Sequence, residues 1–299
     1  MEVAFYGGSF TMLPHRVQRE LLAPLQPLYD AGVLSAIRLS TRPDAVGPAV
    51  IATLREFRVS LVELGVQSMD DAVLAKAGRG HTAADTVHAF GVLQDAGIAT
   101  GGQLMPGLPG DSPAGALRSL HRLLALKPVS LRIYPTVVVA GTGLAEKFLR
   151  GEYLPLTMDD AVTLGARLLH GALRAGVPVI RMGLQATELL SGPQGVIAGP
   201  YHPAFRHLVE SELCHELLEL LTAGATGTVT VAADPSRFSA VVGQGGVNRN
   251  RFRAKGVTLQ LLPDTTLTHH DLAVTFGGIT RKGNIMTDLY YPASEAHHG

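Results

Sequence analysis

Short apolar runs alternate with helix-patterned stretches through the first half of the chain, and this rhythm restricts the fold more than any other feature. Residues 3–6, 36–39, 61–66, 101–105 and 130–134 read as strands. Between them, residues 17–29, 45–57, 83–96 and 114–126 read as helices. Such regularity predicts a parallel sheet joined by crossover helices. One helix per strand suits a partial (β/α) barrel, and no G-x-G-x-x-G follows any strand to favour a dinucleotide-binding sheet.

A barrel of this kind holds its ligand at the carboxyl ends of its strands. Those ends carry Gly7, Gly8 and Ser9, then Ser40 within Ser40-Thr41-Arg42-Pro43-Asp44, then Gln67 and Ser68, then Gln103 with Pro106 and Gly107, then Arg132 and Tyr134. Any one such end is an ordinary strand terminus. Five polar or glycine-bearing ends above apolar strand bodies point to a small-molecule site.

At 299 residues the chain can bury a large core, and with 46% hydrophobic residues and zero formal charge it is neither a disordered chain nor a strongly basic one. A single cysteine, Cys214, excludes a disulfide framework, and no apolar stretch is long enough to span a bilayer. With no N-terminal signal pattern, a cytoplasmic location is expected. Four regions follow: a partial barrel over 1–140, a helical extension over 141–225, a small α+β region over 226–275, and a flexible tail over 276–299. Residues 158–175 and 203–221 are the amphipathic helices of the extension, and Cys214 reads as a packed thiol rather than half of a metal pair with His215.

In the third region, residues 228–233 and 257–262 read as strands, with Gly243-Gln244-Gly245-Gly246 between them. A G-x-x-G turn followed by Arg249, Arg251, Arg253 and Lys255 resembles the RNA-clamping loop of KH modules. Arg249 stands where that module wants an apolar residue, so the run reads first as a solvated basic helix. It is also the local support for nucleic-acid contact.

Several phrases together carry a wider resemblance. FYGGSFT, LSTRPD, VELGVQSMDDAVLAKAGRGHT, QLMPGLPGD and RIYPTVVVAGT, followed by VIRMGLQ and AGPYHPAFRHLVES, occur in this order between residues 2 and 211. They resemble the core of the radical SAM superfamily, in its Elp3-like group, which is related to the oxygen-independent coproporphyrinogen oxidases. The resemblance implies S-adenosylmethionine as cofactor. Gly7, Gly8 and Ser9 match the glycine motif whose backbone meets the methionyl amino group. Gln67 matches a polar residue near the ribose or carboxylate, and Arg79 matches an arginine that pairs with the carboxylate. Gln103 stands where the coproporphyrinogen relatives have an aspartate, and Ser40 where many relatives have a glutamate. Both differences remove negative charge, which would loosen the hold on the cofactor's cationic groups.

Members of the family hold a 4Fe–4S cluster on a three-cysteine loop after an earlier strand. Cys214 matches none of those positions, so this stretch of chain is expected to form five barrel strands, with residues 3–6 as an open edge, and not to assemble the cluster alone. The implied activity, reductive cleavage of S-adenosylmethionine to a 5′-deoxyadenosyl radical acting on an unknown substrate, would require an upstream or separate cysteine-bearing segment. The alternatives are a non-catalytic relative that binds S-adenosylmethionine, a nucleoside or RNA, and a fragment without a role of its own. RNA as substrate is implied only by the family, and no catalytic residue is assigned.

Overall fold

A computed structural model of the chain describes residues 1–185 and 195–291. Its largest sheet has six strands in spatial order β1 (Glu2–Phe5), β2 (Ala36–Thr41), β3 (Leu61–Gln67), β4 (Ala99–Leu104), β5 (Leu131–Ile133) and β7 (Val179–Met182), all parallel. The five strands expected over the first 135 residues are present, with β1 at the edge. The sixth, β7, comes from the region read as helical, where Val179-Ile180-Arg181-Met182 is too short to compete with the long helix before it. A two-stranded antiparallel pair, β6 (Val138–Val139) with β8 (Val196–Ala198), also lies in that region.

The two-residue strand period sorts side chains between the faces of the large sheet. In β3, Val62, Leu64 and Val66 are fully buried, whereas Glu63, Gly65 and Gln67 line the cavity on the other face. In β2, Ile37 and Leu39 are buried while Ser40 lines the cavity, and in β5 Leu131 and Ile133 are buried while Arg132 lines it. Helices Pro48–Glu56, Ala83–Asp95 and Pro113–Leu124 are the crossovers from β2 through to β5. Leu54, Phe90, Leu93, Leu120 and Leu123 from these helices share one apolar core with the buried strand residues. Thr82 and Asp85 form a reciprocal capping box at the start of helix Ala83–Asp95, which fixes the chain just after Arg79 and His81.

A second sheet follows, ordered β10 (Val257–Pro263), β9 (Gly227–Ala233), β11 (Asp271–Phe276) and β12 (Ile279–Asn284). Strands β9 and β10 are parallel, and the other pairings are antiparallel. The flexible tail expected from residue 276 is therefore corrected over its first part. Strand β12 pairs with β11 through six residues, and a short helix, Ile285–Asp288, buries Ile285, with Leu289 buried just after it. Exposed Ile279, Thr280 and Lys282 hide the strand from a reading by hydrophobic pattern; cross-strand pairing holds it. Residues 292–299 lie outside the described residues.

Helix Phe205–Leu221 joins the two sheets. Phe205, Val209, Leu213, Cys214, Leu217, Leu218 and Leu221 are buried and share one core with Leu164 and Leu168 on one side and with Val229 and Val231 on the other. Its N-terminal end packs tightly against the strand end at Gly183. Gly183 has φ +78°, and a Cβ there would lie 2.6 Å from Phe205 Cβ. Gly183→Ala is expected to lower the unfolding free energy by about 2–4 kcal/mol, the sum of left-handed strain and overpacking. Urea denaturation reads this directly, and an unchanged midpoint would show that the contact is not tight.

Candidate cofactor site

The carboxyl ends of β1, β2, β3, β4, β5 and β7 surround one cavity of about 740 Å³. The nine residues expected to hold a cofactor line it, namely Gly7, Gly8, Ser9, Ser40, Gln67, Arg79, Gln103, Arg132 and Tyr134, whereas Ser68, Pro106 and Gly107, also read at strand ends, do not. Arg249, Arg251, Arg253 and Lys255 do not; the arginines lie on the helix Val247–Ala254 beside the second sheet, and Lys255 follows its last residue.

The cavity has a built floor. Glu63, buried in the middle of β3, accepts a hydrogen bond from Tyr6 Oη at 2.6 Å and pairs with Arg38 at 3.0 Å. Arg132 forms a two-pronged ion pair with the same carboxylate, donates to Tyr6 Oη at 2.9 Å and lies over the Tyr6 ring. It also donates to Tyr134 Oη at 3.1 Å. Burial opposes the charge on Arg132, but its bonds to Glu63 and Tyr134 outweigh that and hold its pKa above the usual value. Burial, then the bond to Glu63, likewise raises the Tyr6 phenol, which stays protonated as the donor.

The walls are more open. Gln103 Nε2 donates to Gln67 Oε1 at 3.2 Å, and Ser40 Oγ donates to the Gly8 carbonyl at 3.2 Å. Gln67 sits at φ +65°, just after a register shift against β4. A non-glycine residue held there stores strain of about 1–3 kcal/mol, a cost that concentrates at ligand sites. His81 is buried and its Nε2 lies 3.1 Å from the Val66 carbonyl, which makes Nε2 the protonated nitrogen. Its Nδ1 is buried and without a partner among the described residues.

Charge around the cavity is uneven. Arg42 is paired with Asp44 at 2.7 Å, and Arg132 with Glu63. Arg79 has no carboxylate within 4 Å among the described residues, and its one side-chain hydrogen-bond contact among them is a 3.6 Å approach of Nη2 to Met105 Sδ. Burial, then the charge of Arg42, lowers its pKa, so an anion beside Arg79 would favour its charged form. Opposite in character is the β1 turn. Gly7 has φ +101°, and Cβ atoms at Gly7 or Gly8 would meet nothing within 4 Å, so the main chain is open to close approach by a ligand.

Several lining residues were not singled out from the sequence, among them Tyr6, Glu63, His81, Arg181 and Gln185. Glu63 had a readable signal, a lone acid inside the apolar run Leu61-Val62-Glu63-Leu64. It alters the expected charge balance, because a buried carboxylate is present although Ser40 and Gln103 carry none. The other residues lack such a signal, since only the curl of the sheet brings them to the rim.

Cys214 is fully buried in helix Phe205–Leu221, where Arg237 Nη2 donates to its Sγ at 3.3 Å. Burial pushes the thiol pKa up, as expected for a packed thiol. No group of three or more His, Cys, Asp or Glu side chains suited to a metal ion occurs among the described residues. No helix among them is long and apolar enough to cross a membrane.

These features define the class as parallel half-barrel proteins with a polar cavity at the strand ends. Family comparison is specific. The radical SAM superfamily model matches residues 2–123, and the radical SAM C-terminal domain model matches residues 128–215. The chain belongs to the radical SAM superfamily, in its Elp3-like group. It is 35% identical to the tRNA uridine(34) acetyltransferase of Methanocaldococcus jannaschii over 132 residues, which are 43% of this chain and 24% of that protein. It is 28% identical to human Elongator complex protein 3 over 192 residues, 56% of this chain and 35% of that protein. The chain thus spans about a quarter to a third of these relatives' length. In structure it resembles the archaeal Methanocaldococcus infernus Elp3 with an N-terminal deletion, with a TM-score of 0.62 at 24% identity over 73% of this chain and 54% of that one.

The family implies S-adenosylmethionine and a 4Fe–4S cluster, and the residues present fit them unequally. The open glycine turn, the unpaired Arg79 and the Nδ1 of His81 fit a zwitterionic nucleoside cofactor. For the cluster, the described residues supply no set of thiolates.

Proposed function

We propose that the strand-end cavity binds S-adenosylmethionine and that the protein acts, as a cytoplasmic radical SAM protein of the Elp3-like group, on an RNA substrate. The observation that carries the cofactor reading is Arg79, a partly buried guanidinium whose side chain bonds only the Met105 sulfur among the described residues, in the same cavity as the glycine turn. A carboxylate would complete Arg79 with a charge-assisted pair. The ammonium of the same ligand would find main-chain acceptors at the glycine turn, where Gly7 and Gly8 carry no Cβ to block its approach. The Glu63–Arg132–Tyr6 network holds the floor rigid, and His81 Nδ1 and the Gln67–Gln103 pair offer acceptors and donors to the sugar and base. When bound beside an iron–sulfur cluster, the cofactor supplies hydrogen-atom abstraction. The described residues hold no ligands for that cluster, so the role assigned to them is confined to holding and orienting the cofactor. RNA is the substrate class because relatives that match part of this chain bear the name tRNA uridine(34) acetyltransferase.

Calorimetric titration of the protein with S-adenosylmethionine tests this reading together with Gly8→Val. The backbone at Gly8 is not left-handed and there is open space around it, so the variant should fold with an unchanged thermal midpoint. Its side chain should nevertheless push the ligand off the main chain and remove the binding heat. Full binding by Gly8→Val, or no heat from the parent protein with either S-adenosylmethionine or 5′-deoxyadenosine, would sink the reading.

A further inference from the structure

The second sheet carries an arrangement that the barrel does not explain. Strands β9 and β10 run parallel through seven paired residues, and the crossover between them holds two short helices, Phe238–Val242 and Val247–Ala254. Gly243-Gln244-Gly245-Gly246 forms the joint between those helices. Gly243, Gly245 and Gly246 have φ of +80°, +61° and +80°, so the joint needs glycine for its path. Gly243 also packs closely, since a Cβ there would come within 2.9 Å of the Asn248 amide nitrogen. At Gly245 and Gly246 a Cβ would meet nothing within 4 Å, so the outer face of the joint is open.

This open face is electropositive. The amides of Gln244 and Gly245 have no acceptor among the described residues, and helix Val247–Ala254 has neither an acidic residue in its first turn nor a side-chain cap. The basic run expected to be solvated divides in two. Arg251 is bound to Glu212 at 2.7 Å and Lys255 to Glu219 at 2.6 Å, which spends their charge on helix Phe205–Leu221. Arg249 and Arg253, four residues apart on the helix and exposed, have no carboxylate within 4 Å among the described residues. Beneath the joint lies Asn248, fully buried. Its Nδ2 donates to the carbonyls of Ser211, Ala240 and Val241, and its Oδ1 has no partner. Alongside runs β10, paired on one side only, with its other edge unpaired in the sheet.

We infer that this joint, with Arg249, Arg253 and the free edge of β10, is a binding site for single-stranded RNA, separate from the cofactor cavity. Phosphodiester oxygens fit the unpartnered amides and the two guanidiniums, and the unpaired strand edge offers main-chain donors and acceptors to base edges. A G-x-x-G joint recognises a backbone whose bases are splayed out, so a single strand fits and a duplex does not. The inference rests on RNA being the substrate class, and it assigns the surface that holds it.

Fluorescence anisotropy of labelled single-stranded RNA with the full chain, over a range of salt, tests the site. The parent should bind, with affinity falling as salt rises. Gln244→Asp places a carboxylate on the open joint, and Arg249→Glu with Arg253→Glu reverses the two free charges; all three positions are exposed, so the thermal midpoint should not move. Each variant should weaken binding on the order of ten- to a hundredfold, and the arginine double variant should flatten the salt dependence. Heat of S-adenosylmethionine binding should be unchanged in both. Binding that survives in both variants would overturn this site while leaving an RNA substrate standing. Tighter binding to duplex than to single strands would overturn the single-strand assignment, and no RNA binding by the parent would defeat both readings.

Discussion

Glu63→Gln is expected to lower the unfolding free energy by about 3–5 kcal/mol, the largest effect of any single substitution in the barrel. The carboxylate is nearly inaccessible, and three groups depend on it: Arg132, Arg38 and the Tyr6 hydroxyl. Glutamine keeps the shape but leaves the Arg132 guanidinium without its counter-ion where water reaches it poorly. The Arg38 side chain is less affected, being a quarter exposed and also close to Glu2. Urea denaturation should therefore show a marked loss for Glu63→Gln and a smaller added loss when Arg132→Met is combined with it. Coupling between the two positions is the diagnostic, because removing both charges removes the uncompensated one. Strictly additive losses would show that the pair contributes nothing beyond its separate side chains.

Arg79→Ala is expected to weaken S-adenosylmethionine binding by about 2–5 kcal/mol, the range for removing one member of a desolvated charge pair. Unlike Glu63, Arg79 supports little of the fold, since its one side-chain hydrogen-bond contact is the Met105 sulfur. Circular dichroism and the thermal midpoint should therefore match the parent while calorimetric binding collapses. Arg79→Lys should recover only part of the loss, because an ammonium cannot reproduce the two parallel bonds of a guanidinium to a carboxylate. An unchanged dissociation constant in Arg79→Ala would remove the residue from the site and with it the main support for the cofactor reading.

The residues differ in how far they could be read without a fold. Gly7, Gly8 and Ser9 were legible because a glycine pair straight after an apolar strand has few uses other than a turn close to a ligand. Gln67 and Gln103 were legible as polar groups at strand ends, though nothing in the sequence shows that their amides meet at 3.2 Å. Strand β7 was missed because four residues between helical stretches carry too little periodicity; its pairing with β5 makes it a strand. Strand β12 was missed for the opposite reason, since exposed polar residues dominate it and the pairing with β11 supplies the order. The basic run illustrates the limit best: four cations read alike in sequence, yet two are neutralised by Glu212 and Glu219 from a helix more than thirty residues earlier.

By itself the sequence determined the local order of this protein. Apolar periodicity, capping residues and glycine turns act over a few neighbouring positions, so the strand–helix alternation and the polar strand ends are written where they occur. Only the tertiary structure decided which of those ends share a cavity, which charges are spent and which are free. Glu63 finds Arg132 across 69 residues and Tyr6 across 57, and no local pattern encodes such distances. They are set by the curl of the parallel sheet and by burial, which turns a single acid in an apolar strand into the anchor of the site.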